Sequence, residues 1–156
     1  MSKVVMERKA ADNKYLHRDF HKSLDLGLAY IGERYGDNGV KTYLRDFARE
    51  YYAPLVDNIQ KTGLSALAAH IEATYEIEEM PEVLEMTRTE ETLHVRVAKC
   101  PAIAFFQKTG YTPSPWYIEA TRTVNETIAD MAGLCYTQHS YDETDGHCEY
   151  TFRRRG

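Results

Sequence analysis

The sequence predicts an α+β fold, with N-terminal helices packed against a four-stranded antiparallel sheet of β-β-α-α-β-β order. Three observations predict it. Apolar residues recur at helical spacing as far as Tyr75. From Val83 the period drops to two, as in strands half-buried on one face. The alternating stretches form two pairs, each folded back at a turn signal, Glu90-Glu91 and Asp145-Gly146, with two more helical segments between them.

Met1 to Asn13 is polar and charged and reads as a flexible leader. Residues 14–156 are expected to form a single α+β domain, long enough to bury roughly two thirds of the unfolded surface. The first helix is predicted over Lys14–Tyr35, with Leu16, Phe20, Leu24, Leu28 and Ile31 on one stripe. Gly36 and the turn Asp37-Asn38-Gly39 close it. A second helix follows over Val40–Tyr52, interrupted at Pro54 and continued over Leu55–Lys61. A third covers Leu64–Tyr75, with Leu64, Leu67, Ala68 and Ile71 inward. The acidic cluster Glu76, Glu78, Glu79 and Glu82 reads as a solvated turn, because it lacks the Asp/Asn/Gly pattern of a calcium loop.

Strands are predicted at Val83–Thr89 and Thr92–Lys99. Pro101–Lys108 then makes a short helix ended by Gly110. Ser114 is expected to cap a longer helix that starts at Pro115 and runs to about Met131, with Ile118, Thr121, Val124, Ile128 and Met131 inward. Two further strands, Cys135–Tyr141 and His147–Arg153, complete the sheet.

Composition excludes several classes of function. A net charge of −5 argues against nucleic acid or an anionic membrane surface as partner. No apolar run approaches the ~18 residues that span a bilayer. Three cysteines without a secretory signal point to free thiols in a reducing, cytoplasmic setting. Glycine-rich phosphate loops, nucleophile elbows and H-E-x-x-H are absent, so no cofactor is expected. Twelve tyrosines offer large apolar bodies with polar tips, suited to the wall of a small-molecule pocket or to the interface of a homodimer.

The chemistry centres on Cys100, at the junction of a strand and a helix. The proline after it pushes Cys100 toward an extended backbone and makes it the candidate N-cap of the next helix. A thiol at that position faces unpaired amides and a helix dipole, which favour the thiolate. The plainer reading is a small buried hydrophobe. A nucleophile also needs a base. His94 lies six residues back along an extended strand, about 20 Å away, and is excluded. His139 or a first-helix histidine remains for the role.

With Asp145-Gly146 as a two-residue hairpin loop, Tyr141 opposes Tyr150 and His139 opposes Phe152. Cys135, His139 and Tyr141 then share the apolar face with Cys148, Tyr150 and Phe152. A bulge would invert this. Cys135, His139 and Cys148 lack any C-x-x-C pair, so no metal is expected. His17 and His21 stand four apart on the first helix without a metalloprotease glutamate, at an edge able to face a pocket.

Val97-Ala98-Lys99-Cys100-Pro101, a following helix, and Asp145-Gly146-His147-Cys148-Glu149-Tyr150-Thr151-Phe152 together resemble the L-2-amino-thiazoline-4-carboxylic acid hydrolase-like proteins. Tyr35-Gly36 at a helix end is similar too, and the likeness covers roughly residues 14–153. Where many members carry a cysteine, with an acid three residues on, this chain has Tyr117 and Ala120, with Glu119 adjacent. The resemblance implies hydrolysis of a small cyclic amide or amidine-like ring. Cys100 would be the nucleophile, with His139 and Cys148 beside it. Tyr117, Glu119, His17, Tyr141 and Tyr150 would stand on the substrate side. The element order is also similar to 4-vinyl-reductase-like and haem-nitric-oxide-binding-like domains, which implies the alternative of a non-catalytic small-ligand-binding or sensory domain.

Overall fold

A computed structural model describes residues 19–156. The leader, residues 14–18 of the first predicted helix and His17 lie outside the described residues. Helix α1 (Asp19–Tyr51) is broken at Gly36, whose φ of 69° and ψ of −169° glycine reaches without a Cβ clash. The expected Asp37-Asn38-Gly39 turn does not form, because one residue redirects the chain and the helix resumes at once. Trp116 staples this bend by donating from Nε1 to Asp37 Oδ1 at 2.8 Å. Leu28, Val40, Leu44 and Ala48 form the buried stripe of α1.

Helices α2 (Ala53–Thr62) and α3 (Leu64–Ile77) follow, with Leu64, Leu67, Ala68 and Ile71 of α3 inward as expected. Glu79, in the left-handed region at φ 59°, ends α3, and Met80 N donates back to Tyr75 O at 3.0 Å. This tight finish corrects one expectation: Glu78 is not solvated but buried, 8% exposed.

The sheet has the order β1-β2-β4-β3 and is antiparallel throughout. Its strands are β1 (Leu84–Arg88), β2 (Thr92–Val97), β3 (Leu134–Tyr141) and β4 (Cys148–Arg154). In the central strand β2, Leu93, Val95 and Val97 are buried while His94 and Arg96 face away. Helices α4 (Pro101–Thr109) and α5 (Glu119–Ala132) connect the two hairpins. Helix α3 packs on β1 and β2, α5 packs on β3, and α1 lies on α5. The fold class is therefore α+β, in the element order that the sequence predicts. No helix among the described residues is long and apolar enough to cross a membrane.

Two register expectations are corrected. Helix α5 begins at Glu119, not Pro115, because residues 115–118 form consecutive turns closed by Tyr117 N to Ser114 O and Glu119 N to Trp116 O. Ser114 Oγ accepts from Trp116 N at 3.3 Å, so it caps this turn instead of a helix. The final hairpin is joined by residues 142–147, not by two residues. Asp142 Oδ1 accepts from Thr144 N and Asp145 Oδ1 from His147 N, and these local turns take up the extra length. Tyr141 consequently opposes Cys148, Gln138 opposes Tyr150, and a bulge falls between Gln138 and Ser140. Cys135 and His139 thereby leave the core face.

Candidate functional site

Cys100 caps α4 in the extended conformation expected of it (φ −74°, ψ 124°), with Pro101 in the first turn. Its backbone N donates to Asp145 O at 3.0 Å, which ties the β3–β4 loop to the start of α4. The residue keeps some surface, but its sulfur is enclosed. Burial pushes the thiol up, against the pull of the Ile103 and Ala102 amides, and the charge of Glu78 adds to the rise. The depressed thiol expected from the helix terminus is therefore corrected: in this setting desolvation outweighs the dipole.

Cys148, 6% exposed on the core face of β4, lies within electrostatic reach of Cys100. Burial and that neighbour push its thiol up to about 12. Tyr75, Tyr117, Tyr141 and Tyr150 lie within electrostatic reach of Cys100 as well, and burial raises all four phenols. The fold thus gathers five of the residues singled out from the sequence, namely Cys100, Cys148, Tyr117, Tyr141 and Tyr150. At neutral pH the group is an uncharged set of thiols and phenols.

His139 is not among them. It stands on the outer face of the sheet, where its Nε2 lies 2.7 Å from Thr151 Oγ1 and its ring 6.2 Å from that of His94. His94 in turn meets Glu149 Oε1 at 2.6 Å. The bulge in β3 is the physical reason, and it separates the expected base from Cys100 by the thickness of the sheet. Glu119 is also committed elsewhere. Burial opposes its ionisation, but hydrogen bonds from Arg122 and Thr123 and the charge of Lys41 hold the carboxyl below its usual range. Its hydrogen bonds stay within the first turn of α5, to residues three and four on.

Among the described residues, two clefts flank α4. At 3.6 residues per turn, Ile103 projects from one side and Pro101, Ala104, Phe105 and Lys108 from nearly the opposite one. The Ile103 cleft encloses about 360 Å³ and is walled by Thr112–Pro115, Tyr117, Ile118, Tyr141 and Glu143. Its loop wall is fixed from behind by Asp25, which sequence reasoning missed. Only 1% exposed, Asp25 accepts from Tyr111 Oη at 2.7 Å, Ser114 N at 2.8 Å and Ser114 Oγ at 2.7 Å. Asp25 shares a helix face with Leu28 and Gly32, three and seven residues on; an acid on a core stripe was the available signal. Gly32 is in place because Trp116 lies flat against it, leaving no space for a side chain.

The second cleft encloses about 310 Å³ and reaches Glu78. His21 Nε2 lies 2.9 Å from Glu78 Oε1, yet makes no hydrogen bond with good geometry. For metals, Cys148 faces the core while Cys135 and His139 face away, so these three cannot share an ion. Asp142, Asp145 and His147 do bring their ligand atoms within 4.8 Å of one another, but they belong to the turns that shape the loop. Comparison with protein families, with characterised proteins and with solved structures finds no match to the chain.

Proposed function

We propose that this chain is a small-ligand-binding domain, whose ligand occupies the Ile103 cleft and is not covalently processed. The observation that carries this reading is the pairing of Tyr117 and Tyr141 in one cleft, where both phenols carry their protons at neutral pH. They can donate to an acceptor on the ligand, while Ile103, Pro113, Pro115 and Ile118 pack against its apolar body. Glu143 at the rim disfavours anions. A small neutral molecule with a carbonyl or ether oxygen fits best. The three free cysteines suit a cytoplasmic location.

The experiment is thermal melting of the full chain with millimolar cyclic ketones, lactams and phenols, repeated with Tyr141→Phe. Support is a rise in Tm that Tyr141→Phe diminishes. If no compound shifts the melt, or Tyr141→Phe leaves every shift intact, this reading fails. One observation favours a second reading, a hydrolase of cyclic C–N bonds: Cys100 does stand at a helix start, with the Ala102 and Ile103 amides near its sulfur. Turnover of a thiazoline or lactam that is abolished by Cys100→Ser would establish it instead.

A further inference from the structure

We propose that the cleft where α2, α5 and β4 end is a site for a small organic monocarboxylate, held by the guanidinium of Arg154. It shares no residue with the Ile103 cleft and does not depend on that cleft being occupied. The cleft encloses about 320 Å³ and is lined by Arg154 and Arg155, two cations on a chain whose net charge is −5. Their states differ. Arg155 Nη2 donates to Asp130 Oδ1 at 2.8 Å, so its charge is matched. The Arg154 side chain has no hydrogen-bond or ion-pair acceptor among the described residues, and the N–H donors of its fork are uncommitted. Its position is nevertheless set. Arg154 N donates to Glu91 O at 2.9 Å, and its Cα pairs with Leu134 in the sheet. The guanidinium rests on Gly63, where a Cβ would lie 2.8 Å from Nη2, so the missing side chain there is what lets the fork reach the cleft.

A carboxylate is the group that fits this arrangement. Its two oxygens match the planar fork of one guanidinium in paired, charge-assisted hydrogen bonds. Gln60 adds an amide, whose Nε2 is only loosely engaged by Met131 O at 3.5 Å. A dianion such as phosphate meets opposition, because the Asp130 carboxylate beside Arg155 repels the second charge. An amine is repelled by Arg154, and an alcohol leaves the fork half used. The remaining walls are carbon: Ile59, Leu64, Ala132 and Leu134 give the apolar body of the acid a surface to cover.

The test is amide NMR on the full chain at pH 7.5, with benzoate as probe and benzyl alcohol, benzylamine and inorganic phosphate as its neutral, cationic and dianionic counterparts. Benzoate should shift the amides of Gly63, Leu64 and Gly133, and should bind there at least fivefold more tightly than any of the other three. Arg154 is exposed, so its variants keep the core intact. Arg154→Gln should weaken benzoate at least fivefold, and Arg154→Lys, which keeps the charge but loses the fork, at least twofold. No shift at these amides with millimolar benzoate, equal binding of the four compounds, or full affinity in either variant overturns the proposal. Shifts confined to Tyr117 and Tyr141 would refute this site while leaving the Ile103 cleft in play.

Discussion

Gly146 lies against Cys100 so closely that a Cβ on the glycine would overlap Cys100 Cβ and come within 3.0 Å of Ile103 Cγ1. The glycine is buried and has a φ of 72°, so both space and backbone exclude a side chain. With the Cys100 N to Asp145 O bond, this contact closes the β3–β4 loop over the thiol. Gly146→Ala should cost about 2–4 kcal/mol, combining left-handed strain with overpacking. Urea unfolding measures it. A loss below 0.5 kcal/mol would mean the loop rides free of Cys100.

The same closure sets the order in which the thiols react. Cys135 is on the outer face of the sheet, whereas Cys148 and the sulfur of Cys100 are enclosed and held neutral. Iodoacetamide at pH 7.5 should therefore label Cys135 first. Cys100 and Cys148 should follow only as urea opens the fold, with rates that rise together. Mass spectrometry of partly labelled protein reads this directly. Fastest labelling at Cys100 in native buffer would revive the nucleophile.

What the sequence makes legible, and what it hides, follows from the range of the interactions involved. Periodicity exposes α3 and β2, since their buried residues repeat at 3.6 and 2.0. The Cys100-Pro101 step discloses its cap geometry, because proline acts on its immediate neighbour. The face of His139 depends on a one-residue bulge and on side-chain turns at Asp142 and Asp145, which shift register without leaving a periodic trace. Glu78 is hidden for another reason. Its burial rests on a left-handed residue after α3 and on an imidazole more than fifty positions earlier. The sign of the Cys100 shift is likewise non-local, because the dipole is written in the sequence and the desolvation is not.

Asp25 holds the wall of the Ile103 cleft through three short hydrogen bonds to one loop. Asp25→Ala strands the Ser114 amide and hydroxyl and the Tyr111 phenol, and should cost about 3–5 kcal/mol. Tyr111→Phe removes a single donor and should cost about 1–2 kcal/mol, the range for a bond to a charged acceptor. If Asp25→Ala melted like the parent protein, the loop would be held by Trp116 against Gly32 and Asp37 alone. Chemical denaturation of the two variants, in parallel with ligand binding to the cleft, separates positioning from bulk stability.

Alkaline pH should unfold this protein from the inside, and Cys148 makes the sign testable. Its thiol has an ordinary value of 9.0 and is pushed up to about 12 by burial and by Cys100. An acid whose folded pKa is raised favours the fold while it stays neutral. The stabilisation is whole below pH 9, where both states are protonated. Above 9 the unfolded chain releases the proton first, so stability falls until the folded thiol titrates near 12. One such group contributes a slope of about 1.4 kcal/mol per pH unit in that window. Tyr111, pushed up to about 12 by burial and by its bond to Asp25, adds a fall that starts from its ordinary 10.0. Urea midpoints measured under reducing conditions at pH 8, 9 and 10 should decline, and Cys148→Ala should remove roughly half of the decline between 9 and 10, because the Cys100 thiol, also raised from 9.0 by burial, contributes to the same fall. A midpoint flat from pH 8 to 10 would show that Cys148 ionises in the folded state as readily as in water, and that the interior around Cys100 is wet.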